Sequence, residues 1–576
     1  MNKRWSINPK SDQSLTDSLS EAIGYNNILC NLLIQRGIFN KKDAISFFAP
    51  SLKDLHDPFL MKDMDKAVER LKQGIDTKEK ILVYGDYDVD GTTSVALIYS
   101  FLSKYCSNLL FHIPDRYTEG YGISTQGIDR AHSEGVTLMI VLDCGIKAIE
   151  KVEYAKSKNI DIVICDHHTA DTQLPDAYAI LDPKREDCNY PFKDLSGCGV
   201  GFKLLQGYCQ KYNISEEEIY PFLDLLCVSI ASDIVPIIGE NRILAKHGLE
   251  RLNANPCIGL KTIKSIANIE KDLTINDIVF KIGPRINAAC RIESGKYSVQ
   301  LLIEKDKEKS KNLGKRINNI NDTRKKFDHD ITDQAKKLLE DDIYSENSKT
   351  TMLLNKKWNK GVIAIVASRL IETYYKPTII FTESDKSTGL ITGSARSIDG
   401  FDLYNAISHC SEYLENYGGH KYAAGLSLKE ENYPLFRDKF NKYVEDHISN
   451  ETLIPQINID AEISFNNITN KFFTKLMDFA PFGPKNLNPV FVTRNVVDYG
   501  ETKAVGRSNE HLKLVITDTP KDTFPIAING IAFGMGYLAE KIQNGACFDI
   551  CYSLQENVFM GKREIQLLIK DIKFHN

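Results

Sequence analysis

No stretch of the 576-residue sequence comes near the about 18 consecutive apolar residues that a membrane-spanning helix needs, and this excludes one. The start, Met1-Asn2-Lys3-Arg4-Trp5, lacks the apolar segment of a signal peptide, so a cytoplasmic location is expected. The 13 cysteines are an odd number with no paired metal-ligand spacing, which argues for reduced thiols rather than a disulfide framework or a thiolate zinc site. There is no excess of positive charge: 72 Lys and Arg stand against 77 Asp and Glu, a net −5. Binding to nucleic acid would therefore have to come from local basic patches, not from the overall field. Internal repeats and low-complexity segments are also missing. What remains, 42% hydrophobic and 26% charged residues, is the mix of an ordinary globular protein with room for three or four domains.

Against this plain background, four clusters carry chemistry. Ile81-Leu82-Val83-Tyr84 runs into Gly85-Asp86-Tyr87-Asp88-Val89-Asp90-Gly91, Met139-Ile140-Val141-Leu142 into Asp143-Cys144-Gly145, and Ile162-Val163-Ile164-Cys165 into Asp166-His167-His168. The fourth, Ala231-Ser232-Asp233, follows the apolar stretch Leu223 to Ile230. Continuous apolar runs read as buried parallel strands, and open α/β sheets carry their sites at the strands' carboxyl ends. Acids gathered at one such edge would repel and cost several kcal/mol of desolvation unless a cation sat among them. Oxygen ligands with one imidazole suit Mn²⁺ or Mg²⁺ better than zinc.

The remaining chain divides readably. Residues 1–60 form an N-terminal segment of short helices and loops. Residues 61–260 alternate helix and strand, the pattern of a parallel sheet with helices on both faces. Residues 261–345 are helical, and Leu313, Ile317, Ile320, Phe327 and Ile331 predict one apolar face on a long connecting helix. Its lysines and arginines read as a solvated face or as a DNA track. A second α/β unit covers 346–452, with strands at Met352-Leu353-Leu354 and Thr378-Ile379-Ile380-Phe381. Five short strands within 453–576 predict a small barrel of the OB type, with a β-sandwich as the alternative. The expected fold class is thus α/β: two α/β lobes joined by a long helix, plus a C-terminal OB-type β-barrel.

Asp86-Tyr87-Asp88-Val89-Asp90-Gly91, Asp143-Cys144-Gly145, Asp166-His167-His168 and Ser232-Asp233, in that order, resemble the four motifs of the DHH phosphoesterase superfamily. Further segments resemble its single-strand-specific exonuclease branch. They are Ile113 to Gly122, Ser196 to Val200, Gly283 to Ala289, Gly361 to Leu370, Gly393 to Ser397, Gly418-Gly419-His420, Phe482-Gly483-Pro484 and His511-Leu512-Lys513. The resemblance spans about residues 70 to 573 and names the second lobe a DHHA1 domain and the first the DHH catalytic domain. It implies a 5′→3′ exonuclease that degrades single-stranded DNA to mononucleotides with two divalent metal ions, Mn²⁺ or Mg²⁺, in repair and recombination. It also implies supply of substrate by a helicase or a single-strand-binding protein. A monomer is expected, since the chain brings its own clamp.

By the same resemblance, Asp143 bridges the two ions of a two-metal hydrolysis. Asp88 and Asp90 are ligands, Asp86 is a further ligand or a strand-end turn residue, and His167 and Asp233 complete the second ion's shell. His168 touches the scissile phosphate, with Asp166 orienting the histidine pair. Ser394, Arg396 and Arg116 match positions that hold a 5′ phosphate, for which the guanidinium fork is suited. An interlobe salt bridge is the other reading of Arg116. Arg285 and His420 match groove or active-site positions, and His420 could equally support its glycine-rich turn. Three positions depart from the family: Tyr84 and Asn359 stand where many relatives have His, and Cys290 where Gly is usual. Two other readings stay open. One is a smaller-substrate relative, such as an oligoribonuclease, a cyclic-dinucleotide phosphodiesterase or a pyrophosphatase. The other is a non-catalytic DNA-binding scaffold.

Overall fold

Five runs rich in Ile, Val and Leu pair in parallel to form the first sheet. Their order is Leu109–His112, Ile81–Gly85, Leu138–Leu142, Asp161–Cys165, Ala179–Leu181. The chain leaves Ile81–Gly85 toward one side and returns on its other side at Leu138–Leu142. The switch point of this open sheet therefore lies between those two strands, at the ends that carry Asp86 and Asp143. The molecule is a computed structural model that describes residues 3–341, 348–385, 388–519, 525–559 and 561–575.

Two packing units contain these residues: 55–235 with 239–455, and 1–54 with 236–238 and 456–576. In the first, strand and helix alternate only as far as Leu181; from Gly197 to Asp341 the described structure is helical. The apolar stretch before Asp233 is accordingly a helix, Leu223–Ser232, buried almost all round. A short apolar run fits either state, and burial on every side removes the periodicity that would separate them. The connecting helix is real, Lys307–Asp341, and buries Ile317, Ile320 and Ile331. Phe327 is 38% exposed instead. The buried stripe runs through Gly314, Asn321, Asp328 and Ala335, at helical spacings that leave Phe327 to one side.

The second sheet of this unit has the order Asn416–His420, Ala423–Lys429, Leu390–Arg396, Thr378–Asp385, Thr351–Leu354, of which only the last pair is parallel. Ser394 and Arg396 lie two apart on the strand Leu390–Arg396 and so share a face.

The other unit is built on a closed barrel. Phe491–Asp498 pairs with His511–Thr517, which pairs with Ala527–Ala532; Lys562–Phe574 and Phe548–Phe559 complete the circle back to Phe491–Asp498. The pairing of Ala527–Ala532 with Lys562–Phe574 is parallel and the rest are antiparallel, the five-stranded OB arrangement. The N-terminal segment belongs here. Its helices Gln13–Ile23, Asn27–Gln35 and Lys41–Phe48 share one core with the barrel, and a strand absent from the sequence reading, Arg4–Ile7, pairs with Gln456–Ile459.

Candidate metal centre and phosphate pocket

Each acid of the first lobe is placed by the end of an element. Asp86 follows the strand Ile81–Gly85; Asp88 caps the helix Val89–Leu102, accepting from Gly91 N at 3.1 Å, and Asp90 sits in that helix's first turn. Asp143 follows Leu138–Leu142 with φ +60°, a conformation that aspartate tolerates better than most residues. Asp166, His167 and His168 follow Asp161–Cys165, and Asp233 ends the helix Leu223–Ser232. Two glycines allow the close approach. A Cβ on Gly91 would lie 2.3 Å from Asp86 O, and one on Gly197 would lie 2.6 Å from Asp143 Cβ. The Ser196-Gly197-Cys198 segment also orients Asp90, whose carboxylate accepts from Gly197 N at 2.6 Å, Cys198 N at 2.9 Å and Ser229 Oγ at 2.7 Å.

The side chains converge. Asp86, Asp88 and Asp143 bring oxygens within 4.8 Å of one another, as do the donor atoms of Asp90, His167 and Asp233, and of Asp143, His167 and His168. His167 Nε2 lies 3.2 Å from Asp143 Oδ1, 3.6 Å from Asp233 Oδ2 and 3.8 Å from Asp90 Oδ2. Both nitrogens of this imidazole are buried and neither makes a hydrogen bond. A buried polar group without a partner costs roughly 1–3 kcal/mol, and a ring ringed by carboxylates without bonding to them is placed for a cation.

The charges point the same way. Burial, and then the neighbouring carboxylates, push Asp86, Asp143 and Asp233 well above the usual carboxylate range, and Asp88 upward as well. Burial pushes His167 down, keeping the imidazole neutral as a ligand must be. Asp166 differs. Burial opposes its charge, but hydrogen bonds from His168 Nδ1 (2.7 Å), Ile146 N (2.9 Å) and His167 N (2.7 Å) hold it near 2. Its partner His168 is raised to about 9 despite burial. The residue set fits divalent cations: oxygen-rich, with one neutral imidazole and no thiolate.

A second feature adjoins this one. Arg396 donates to Ser394 Oγ at 3.4 Å and to Ala395 O at 2.8 Å, and burial together with the charges of Arg291 and Arg116 lowers its pKa to about 10. Arg116 lies over the Tyr87 ring at 5.0 Å and stabilises the charge on Asp86. Three guanidinium groups thus feel one another's charge, and none has a carboxylate in its hydrogen bonds, a combination that suits an anion. Of these, Arg291 escaped the sequence reading. It donates to Gly361 O at 2.9 Å, where a Cβ on Gly361 would lie 2.3 Å from Arg291 O. Burial, and then the charges of Arg396 and His168, depress His420; its Nδ1 also accepts from Tyr422 N at 3.3 Å, within the turn. Arg285 is held elsewhere, donating to Lys281 O at 2.6 Å and Asn318 Oδ1 at 3.3 Å on the connecting helix.

Two more residues escaped the sequence reading as site groups. Tyr121 OH lies 3.3 Å from both Asp143 O and His168 Nε2. Asp182, after Ala179–Leu181, is buried, with Oδ2 unpartnered and its pKa raised by burial to about 7. The departures have local accounts. Tyr84 is fully buried, donates to Gly122 O at 2.8 Å and accepts from Ser124 N at 3.2 Å, fixing the loop that carries Tyr121. Asn359 Oδ1 accepts from Gly361 N at 2.9 Å, and Cys290 Sγ lies 3.0 Å from Asn287 Oδ1.

On the barrel, a groove of about 340 Å³ runs across the strands His511–Thr517, Ala527–Ala532, Lys562–Phe574 and Phe548–Phe559. Two lysines, Lys513 and Lys562, and one acid, Glu564, line it together with Asn529, Ile531 and Gln566. Phe533, exposed, meets the His511 ring edge-on at 5.0 Å beyond its end. Among the described residues, no helix is long and apolar enough to cross a membrane, and all 13 cysteines are free.

Comparison with known proteins agrees with this architecture. The family described as "DHH family, N-terminal domain" matches residues 80–230, "DHHA1 domain" matches 347–446 and "RecJ OB domain" matches 459–571. The single-stranded-DNA-specific exonuclease RecJ of Bacillus subtilis is 34% identical over 569 residues, covering 99% of this chain and 70% of that protein. Its namesake in Escherichia coli is 32% identical over 530 residues, covering 88% and 90%. The crystal structure of RecJ in complex with Mn²⁺ from Thermus thermophilus matches with a TM-score of 0.84 at 22% identity, over 99% of this chain and 79% of that one. A structure of exonuclease RecJ bound to manganese matches with a TM-score of 0.59 at 27% identity, over 69% and 97%.

Proposed function

Because the chain belongs to the family of single-stranded-DNA-specific exonucleases RecJ, we propose that it hydrolyses single-stranded DNA from a free 5′-phosphorylated end, releasing mononucleotides. The observation that carries this reading is the adjacency of a carboxylate–imidazole cluster to the Arg396, Arg116 and Arg291 pocket. A hydrolytic centre beside a receptor for a terminal phosphate starts at an end.

In this reading Asp86, Asp88 and Asp143 would hold one divalent cation, and Asp90, His167 and Asp233 the other, with Asp143 able to serve both. When bound, Mn²⁺ or Mg²⁺ would supply the positive charge that makes water a nucleophile near neutral pH and offsets the charge of the leaving oxygen. The protein's own groups do the positioning. Asp166 orients the His168 ring through Nδ1, directing Nε2 to where Tyr121 OH now lies, within reach of a phosphate oxygen. Its raised pKa keeps this imidazole cationic at neutral pH. Ser394, Arg396 and Arg116 receive the 5′ phosphate, His420 borders that pocket, and Arg285 contacts the strand further along. Residues 61–260 would thus supply the centre and Arg116, 261–345 Arg291, and 346–452 Ser394 and Arg396 of the phosphate receptor. Residues 453–576 carry the distal strand, which would stack on Phe533 and follow Lys513 and Lys562 along the groove, the face such barrels use.

The same reading makes the protein a cytoplasmic monomer acting in DNA repair and recombination, fed by a helicase or a single-strand-binding protein. The barrel groove favours long single strands over the dinucleotides of smaller relatives. The intact ligand set favours an enzyme over a scaffold. The test is Mn²⁺-dependent release of mononucleotides from a 5′-phosphorylated single strand, with duplex and dinucleotide as controls. Cleavage of the dinucleotide alone would replace this reading by the smaller-substrate one, and binding without cleavage by the scaffold.

A further inference from the structure

Ile234 directly follows Asp233 and has a φ of +59°. It is the one β-branched residue in the left-handed region among the described residues. Its position comes just after Asp233, which caps the helix Leu223–Ser232 at its C-terminal end. Glycine or asparagine ordinarily stands there, because a Cβ crowds the backbone. Packing does not compensate, since the side chain is 64% exposed. Stability therefore gives no reason for an isoleucine, and strain that packing does not repay is found where function retains it.

A second exposed apolar side chain belongs to an element that packs on the same helix. Phe280 is 75% exposed, in the middle of the π-helical turn Ile278–Ile282. Turns of this kind concentrate at functional sites. This one packs against the helix Leu223–Ser232. Gly283, the residue after it, is so near Ser232 that a Cβ there would lie 2.8 Å from Ser232 Oγ. Along the chain, Phe280 is three residues and Ile234 two residues from this contact point, and Ile234 adjoins Asp233.

We propose that Ile234 and Phe280 form an apolar shelf that receives a nucleobase of the single strand whose phosphodiester is held at the Asp233 side of the centre. This rests on the nuclease reading above. The occupant is a base and not a protein because two side chains offer far less area than a specific protein interface. The shelf also borders groups that handle phosphate, so its ligand carries phosphate. Every base presents an apolar face, so such contact serves an enzyme that must accept any sequence. Isoleucine at the strained position projects its side chain beside the ligand Asp233, where glycine would leave nothing to meet the base.

The test compares a 5′-phosphorylated oligonucleotide with the same strand made abasic at its first three nucleotides, using the full chain with Mn²⁺. Wild type should show a lower KM for the strand with bases, by about 5-fold or more, the equivalent of a single stacking contact. Ile234→Gly, which relieves the strain, and Phe280→Ala should each shrink that preference, with thermal stability kept or raised. Should the Ile234 variant lose metal, measured by calorimetric Mn²⁺ titration, Phe280→Ala decides alone. A preference unchanged in Phe280→Ala, or an equal loss on both strands, overturns the shelf. Failure of wild type to cut either strand overturns the nuclease reading instead.

Discussion

At Asp143 one carboxylate faces Asp86, Asp88, Asp90 and Asp233 as well as His167 Nε2. Asp143→Asn keeps the shape and tolerates φ +60°, yet removes the charge that the proposed bridging role requires. Two effects of opposite sign should follow. The metal-free protein should gain about 1–3 kcal/mol, because repulsion among buried acids is relieved, seen as a Tm raised by a few degrees in EDTA. Turnover should fall by at least about a hundredfold, and the stabilisation by Mn²⁺ should largely vanish. A variant that kept a tenth of wild-type activity would remove Asp143 from the bridging position. A different comparison applies at Arg396, whose guanidinium has no carboxylate partner in its hydrogen bonds. A charge-assisted contact contributes about 1.5–3 kcal/mol, so Arg396→Ala should weaken binding of a 5′-phosphate strand tens-fold and of a 5′-hydroxyl strand little. Equal penalties on the two ends would mean that Arg396 meets an internal phosphate or merely holds its lobe.

Among the elements, those read best from sequence begin with apolar runs that end in acids, since a buried parallel strand and its functional carboxyl end are both written locally. Asp86, Asp143 and Asp166 follow strands for that reason. Elements whose state depends on distant partners were not legible. Arg4–Ile7 becomes a strand only by pairing some 450 positions away, with Gln456–Ile459. Leu223–Ser232 is apolar in every direction, so no period distinguishes helix from strand. Tyr121 and Arg291 reach the site through loop and lobe geometry, and no local spacing encodes that. The loop bearing Arg116 and Tyr121 is itself held by one carboxylate. Glu119 accepts from Asp115 N at 3.0 Å, from Ser124 Oγ and from His112 Nε2 at 3.0 Å. Burial opposes the Glu119 charge, but these donors outweigh it and bring the pKa down to about 2. A depressed acid stabilises above its unfolded value, about 4.5, and that contribution disappears as pH falls toward about 2. Glu119→Gln should therefore lower stability by about 1–3 kcal/mol at pH 7, with the gap to wild type closing in acid. A gap that stayed constant from pH 7 to pH 3 would assign the loss to packing and not to the charge.

For the molecule as a whole, where a truncation is cut decides what it reports. Residues 1–54 share their core with the barrel, Leu29 and Leu33 packing in one cluster with Phe465, Phe479 and Phe491. Removing 456–576 alone would expose that face of the N-terminal helices, and any lost activity would reflect misfolding. The informative variant removes both segments and leaves 55–455. It also carries Ile237→Ser, because Ile237 is fully buried within the barrel's unit, where a Cβ on Gly483 would lie 2.4 Å from its Cγ1. The barrel groove holds two lysines against one glutamate and, beyond its end, an exposed aromatic ring, while the net charge of the chain is −5. Affinity for long strands should therefore come from local contacts, each stacked base contributing about 1–3 kcal/mol. The truncated enzyme should cut a 5′-phosphorylated trinucleotide within about tenfold of the full chain and bind a forty-mer at least about a hundredfold more weakly. Its binding should also depend less on salt, since each lost phosphate contact on a single strand removes about 0.7 from the slope of log affinity against log salt. Equal losses on trinucleotide and forty-mer, or an unchanged salt slope, would place strand holding in the catalytic unit and leave the barrel a structural role.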